Sequence, residues 1–225
     1  MRVKGIDKEI TGILFDMDGL LINSENLYWQ ANIQAAREAG LNMPDDTYLK
    51  LVGSTTNDMQ DFYHRYFKNQ DQKQQFIDRT NELVKQWSEA GQLKLRSGVQ
   101  AALDTFQKLG LPMAVVSSND EAVIEYDLWQ TGIRNYFKFH LNYDDVKREQ
   151  LKPKPAPDIY LWAAKKLQIP KENILAFEDS GTGLAAAKNA GLKCVMVPDL
   201  LPATEVDQKN AVFICDDFFK FLQKI

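Results

Sequence analysis

Apolar positions follow two rhythms along this chain, and the switch between them divides it into three stretches. The first is short. Ile13-Leu14-Phe15 is a continuous apolar run with strand propensity, and it leads into Asp16-Met17-Asp18-Gly19. The second stretch, residues 24 to about 91, is helical in period and holds no convincing strand. Ser24 to about Ala39 predicts a helix closed by Gly40, and Pro44-Asp45-Asp46 reads as another helix start. Met59, Phe62, Tyr63, Tyr66 and Phe67 fall at i, i+3, i+4, i+7 and i+8, and Phe76, Thr80, Leu83, Val84 and Trp87 make a second stripe. A bundle of about four helices is expected there, with the aromatic stripes as its core.

From Arg96 the pattern alternates between helix and strand. Val99, Ala102, Leu103 and Phe106 mark a helix, and Leu111 to Val116 a strand ending in Ser117-Ser118-Asn119. A helix from about Asp120 and a strand over Phe137 to Leu141 come next. Ile159, Trp162, Ala163 and Leu167 mark the helix after Pro157, and Ile174 to Phe177 a strand ending in Glu178-Asp179. Gly181 to Ala190 reads as helix, Lys193 to Val197 and Ala211 to Ile214 as strands, and Phe218, Phe221, Leu222 and Ile225 as a last helix. Strands separated by helices imply βαβ crossovers, so the expected fold is α/β, a Rossmann-like doubly wound parallel sheet with an inserted α-helical bundle. Residues 1–22 and 93–225 would form the sheet domain and residues 23–92 the insertion, joined through residues 20–24 and about 91–96.

Such sheets bind ligands beyond the C-terminal ends of their strands. The unexpected polar residues cluster at those ends: Asp16 with Asp18, Ser117 with Ser118 and Asn119, Glu178 with Asp179. Asp-x-Asp-Gly alone fits an ordinary turn as well as a site. A buried strand that ends in two acids is poor core material, because unpaired buried carboxylates are costly, and polar residues at three strand ends point to one site.

Composition narrows the function classes. A net charge of -4 over 225 residues gives no basic surplus for nucleic acid or an anionic membrane. No run is long enough to span a bilayer, and the first ten residues lack the apolar core of a signal peptide. Cys194 and Cys215 sit in apolar strand-like runs and read as small core hydrophobes, so a reduced, cytoplasmic chain is expected. His64 and His140 have no ligand-like neighbours in sequence.

Four segments together resemble a known family. Asp16-Met17-Asp18-Gly19, the Ser117 strand end, Lys154-Pro155-Ala156-Pro157-Asp158 and Phe177-Glu178-Asp179-Ser180 resemble, in order and spacing, the four motifs of the haloacid dehalogenase superfamily. The similarity spans essentially the whole chain and is strongest to the branch holding phosphoglycolate phosphatases, sugar-phosphate phosphatases and β-phosphoglucomutases. It implies a helical cap inserted after the first motif, and a phosphoric monoester hydrolase. Asp16 would be the nucleophile that forms an aspartyl-phosphate, and Asp18 the general acid/base. Ser117, with Ser118 and Asn119 after it, would hold the phosphoryl oxygens, and Lys154 would balance the negative charge. Mg²⁺ would bind at Asp16, Asp18 and Asp179, with Glu178 beside it. The implied partner is a small phosphate ester such as a sugar or polyol phosphate, with the chain a monomer.

Two departures and two rivals bear on this. β-Phosphoglucomutases carry a cap His and Arg at the places to which Tyr28 and Thr56 correspond in this chain, a departure that favours hydrolysis over the mutase alternative. Asn23 stands where relatives commonly have Asp; capping of the following helix is its plain structural reading, and the sequence assigns it no further role. Gly53, Thr55, Thr56 and Asn57, with Tyr28, are the expected specificity residues, although Ser, Thr and Asn there also suit a helix cap. Gly181-Thr182-Gly183-Leu184-Ala185-Ala186 imitates a dinucleotide fingerprint, but its strand ends in Glu-Asp and no acid-ended strand follows about 20 residues on. Close backbone packing explains it better. A non-catalytic protein on the same fold is the other rival, against which every catalytic position is filled.

Overall fold

The structure, a computed structural model, describes residues 1–51 and 56–225, with the backbone alone for residues 56–59. The chain divides into two compact units, Met1–Asn23 with Leu95–Ile225 and Ser24–Lys94.

The larger unit is built on six parallel strands: β1 (Gly12–Phe15), β2 (Met113–Val116), β3 (Phe137–Leu141), β4 (Ile174–Glu178), β5 (Lys193–Met196) and β6 (Phe213–Ile214). Their order across the sheet is β3-β2-β1-β4-β5-β6. This is the α/β parallel sheet that the alternating pattern predicts. β1 lies in the middle, and every residue of β1, β2 and β4 is buried, as expected of strands covered on both faces.

The smaller unit comes next in the chain, with α1 (Ser24–Glu38), α2 (Thr56–Tyr66) and α3 (Gln70–Glu89). Both stripes read from the sequence supply core residues: Phe62, Phe67, Phe76 and Leu83 are buried with Ala31, Ala35 and Ala36, while the Met59 side chain lies outside the described residues. The helix expected from Pro44 is a correction. Among the described residues that stretch forms turns and one short 3₁₀ segment, Tyr48–Lys50, so three α-helices stand where about four were expected. Thr47 donates its hydroxyl to the Pro44 carbonyl at 2.6 Å there, a local bond that competes with an α-helix.

Back in the larger unit the helices are α4 (Val99–Lys108), α5 (Glu121–Gln130), α6 (Tyr143–Arg148), α7 (Asp158–Leu167), α8 (Gly181–Asn189), α9 (Glu205–Asn210) and α10 (Phe218–Leu222). One sheet face carries an aromatic layer in which Phe15 stacks on Phe177 at 5.2 Å, beside Phe106 and Phe218. The other face packs Leu14, Ala114 and Ala176 against Ile159, Tyr160 and Ala163 of α7 and Leu184 and Ala187 of α8. No helix among the described residues is long and apolar enough to cross a membrane.

One core position is costly. Asp127 of α5 is 8% exposed, and burial, with the Asp18 charge adding to it, pushes its carboxyl up to about 7. An acid with its folded pKa above the unfolded value binds extra protons in the folded state, so stability is lost as pH rises from about 4 to about 7. Asp127→Asn should therefore stabilise the fold by up to about 4 kcal/mol near pH 8 and hardly at all near pH 4. Urea denaturation at the two pH values reads this, and an equal gain at both would contradict it.

Candidate active site

The strand register assembles the site. Phe15 of β1 lies opposite Val115 on one side and Phe177 on the other, so the residues just beyond them come out in one row. That row holds Asp16, Val116 and Glu178, with Ser117 one residue further along β2, and the Asp16 amide donates to the Phe177 carbonyl at 3.0 Å. Beyond Asp16 the chain turns at once. Leu20, Leu21 and Ile22 all donate to the Met17 carbonyl, and Gly19 takes φ +69, a conformation that other residues resist.

Asp16, Glu178 and Asp179 each offer a carboxylate oxygen, all within 4.8 Å of one another. One cation lies among them. The Lys154 ammonium donates to Asp16 Oδ1 at 2.7 Å, to Glu178 Oε1 at 2.7 Å and to the Val116 carbonyl at 3.0 Å. Its side chain is 7% exposed. Burial opposes its charge, but Asp16 and Glu178 outweigh burial and raise its pKa, so Lys154 is an ammonium. Glu178 is fully buried, and burial, helped by Asp16, raises its carboxyl against the pull of Lys154. Tyr160 donates its hydroxyl to the same Oε1, while Oε2 is buried without a hydrogen-bond partner.

Asp18 is held from the β2 end. Asn119 Nδ2 donates to its Oδ2 at 3.0 Å and Ser117 Oγ at 3.3 Å, while the Asn119 amide donates to Ser117 Oγ at 3.0 Å. Ser117 is fully buried and Ser118 exposed. The structure therefore brings Asp16, Asp18, Ser117, Asn119, Lys154, Glu178 and Asp179 to one edge of the sheet. Lys154 reaches it from the segment before α7, where its bond to Pro155 is cis. Gly53 and Thr55 lie outside the described residues, as do the side chains of Thr56 and Asn57, whose backbone opens α2. Tyr28 lies half-buried on α1 of the smaller unit.

Tyr160 is a residue that sequence reasoning missed. Its signal was present: Tyr160, Ala163, Ala164 and Leu167 fall at i, i+3, i+4 and i+7, a buried stripe with one polar tip that needs a partner.

Three carboxylates converge beside the Lys154 ammonium, and Glu178 Oε2 among them is buried without a hydrogen-bond partner. An all-oxygen, acidic donor set of this kind fits a hard divalent cation.

Comparisons with known proteins place the chain in a family. A family model described as haloacid dehalogenase-like hydrolase matches residues 13–197. YhcW of Bacillus subtilis is 32% identical over 197 residues, 87% of this chain and 86% of that protein. A phosphorylated carbohydrates phosphatase of Thermotoga maritima is 29% identical over 182 residues, 80% and 82% of the two chains. Among solved structures, CbbY of Rhodobacter sphaeroides, a variant held with xylulose-1,5-bisphosphate, aligns with TM-score 0.76 at 25% identity. That alignment covers 93% of this chain and 95% of the other.

The glycine pair at the start of α8 is explained by the site. A Cβ on Gly183 would stand 2.1 Å from the Glu178 carboxylate, and one on Gly181 would stand 2.8 Å from Asp207 Oδ1. Ser180 caps the helix by accepting from the Gly183 amide at 3.2 Å. Gly→Ala inside a helix ordinarily stabilises by about 0.5–1 kcal/mol. Gly183→Ala should do the opposite, costing about 1–3 kcal/mol through overpacking against a buried carboxylate. Thermal unfolding of the variant checks this, and a raised melting temperature would contradict it.

Proposed function

The chain belongs to the haloacid dehalogenase-like hydrolases, and from that premise we propose that it is a Mg²⁺-dependent phosphatase of small phosphate monoesters, foremost sugar or polyol phosphates. The observation that carries this reading is the buried Lys154 ammonium bonded to both Asp16 and Glu178 at one row of strand ends. A lysine there lowers the repulsion between a carboxylate nucleophile and an incoming phosphoryl dianion, the central electrostatic problem of phosphoryl transfer.

The reaction divides into two displacements. An Asp16 carboxylate oxygen forms a bond to phosphorus as the bond to the ester oxygen breaks, and Asp18 gives its proton to the departing alkoxide. Asp18 then takes a proton from a water molecule, whose oxygen attacks phosphorus and releases inorganic phosphate from Asp16. Ser117 and the amide that follows it receive the phosphoryl oxygens, with Ser118 and Asn119 beside them. Mg²⁺, held by the Asp16 and Asp179 carboxylates and the Asp18 carbonyl with Glu178 adjoining, would supply further charge neutralisation at the phosphoryl oxygens.

Residues 23–92 act as a cap in this reading. The core motifs are used up on phosphate and cation, so selection of the rest of the substrate falls to the insertion. The neutral, hydroxyl-rich set of Tyr28, Gly53, Thr55, Thr56 and Asn57 suits a polyhydroxy monophosphate better than a second anionic group. A solved relative of similar fold is named as a β-phosphoglucomutase, which makes a phosphosugar mutase the alternative. Tyr28 and Thr56, where such mutases would need His and Arg, speak for hydrolysis.

Phosphate release with Mg²⁺ across sugar monophosphates, polyol phosphates, a sugar bisphosphate and phosphoglycolate tests the whole reading. Asp16→Asn should abolish release, and Asp18→Asn should slow it strongly while substrate still binds. Ala at Thr55, Thr56 and Asn57 together should shift relative kcat/KM among substrates by about 1–3 kcal/mol. Substantial turnover by Asp16→Asn removes the covalent route, and a preference for the bisphosphate removes the monophosphate assignment. An equal loss on all substrates with a lower melting temperature would make residues 55–57 a helix cap.

A further inference from the structure

The Asp18 carboxylate is fixed from the β2 end, but its backbone is fixed from elsewhere. The larger unit contains the chain on both sides of the insertion, up to Asn23 and again from Leu95. Where the two segments meet, Ile22 pairs with Leu95 in an antiparallel bridge and the Arg96 amide donates to the Leu21 carbonyl at 3.0 Å. The Arg96 side chain, 15% exposed, then spans the site rim. Its Nη1 donates to the carbonyl of Gly19, the residue after Asp18, and to the Val197 carbonyl at 3.0 Å. Its Nη2 donates to the Pro198 carbonyl at 2.7 Å, and its Nε pairs with Asp199 Oδ1 at 3.4 Å. Val197, Pro198 and Asp199 form the segment that leaves β5, one strand from Glu178.

A guanidinium is suited to this task because its donors are fixed in one plane and can serve several acceptors at once, which a lysine ammonium on a flexible stem cannot reproduce. The turn it grips is tight: three successive amides close on the Met17 carbonyl, which leaves the Gly19 carbonyl turned to Arg96. We propose that Arg96 is a positioning residue for Asp18, clamping the Asp18-Gly19 turn to the segment after β5 so that the acid stays in line with the departing ester oxygen.

The inference rests on the phosphatase reading, and leaving-group chemistry separates the two. An alkyl phosphate needs a proton on its leaving oxygen, whereas p-nitrophenyl phosphate does not, and kcat/KM reports the step in which that oxygen departs. Arg96→Lys should lower kcat/KM on an alkyl phosphate by about 10–100-fold, with a much smaller loss on p-nitrophenyl phosphate. Asp18→Asn should show the same imbalance, and adding Arg96→Lys to it should cost little more on the aryl ester, since both act at one place. A purely structural role lowers both esters alike, which would overturn the proposal, as would an unchanged ratio. If Arg96→Lys does not fold, Asp199→Asn weakens the same clamp, and a several-fold fall in the alkyl-to-aryl ratio supports the role while a constant ratio refutes it. A wild-type protein that releases phosphate from neither ester removes the phosphatase reading and the role with it.

Discussion

Everything in the larger unit is arranged around one buried cation among acids. Lys154 and Glu178 are both withdrawn from water, and Asp16 nearly so. Carboxylates in such a place are tolerated only when their charge is matched and their oxygens are bonded. The ammonium matches two of them directly, and its third bond goes to the carbonyl that ends β2. That bond ties lysine position to sheet register, so the strands and the site depend on each other.

The same constraint accounts for details that otherwise look unrelated. Gly183 is bare because the Glu178 carboxylate occupies the space a side chain would need. Tyr160 is a tyrosine in an otherwise aliphatic helix face because Glu178 Oε1 takes a second donor. Removing the Tyr160 hydroxyl takes a donor from Glu178 Oε1, and in a low-dielectric site that cost exceeds what the same contact is worth at a surface.

Much of this was legible in the sequence because it took the form of an anomaly. A run such as Ile13-Leu14-Phe15 announces a buried strand, and acids at its end contradict burial unless they serve a site. Two such ends, with the polar Ser117-Ser118-Asn119 end of a third strand, located the edge of the sheet that carries chemistry. Six-residue helices were not legible: α6 and α9 are too short to show a period, and each is begun by a capping box, Asn142 with Asp145 and Thr204 with Asp207. The clamp at Arg96 was hidden for a different reason, since its acceptors lie 77 to 102 residues away and only the fold brings them together. His140 is similar, with Glu125 at 2.8 Å although neither looks like a partner of the other in sequence. The stretch from Pro44 misled because a proline and two acids begin a turn as readily as a helix.

In the proposed reaction Asp16, beside Lys154, becomes phosphorylated during turnover. The most direct measurement is acid quenching of the enzyme within its first turnovers on a phosphate ester, borohydride reduction, and mass spectrometry of the peptide containing Asp16. An acyl-phosphate is reduced to an alcohol, so residue 16 should appear as homoserine in the substrate-treated sample and as unchanged aspartate without substrate. Aspartate at position 16 in both samples, under conditions where phosphate is being released, would contradict the account.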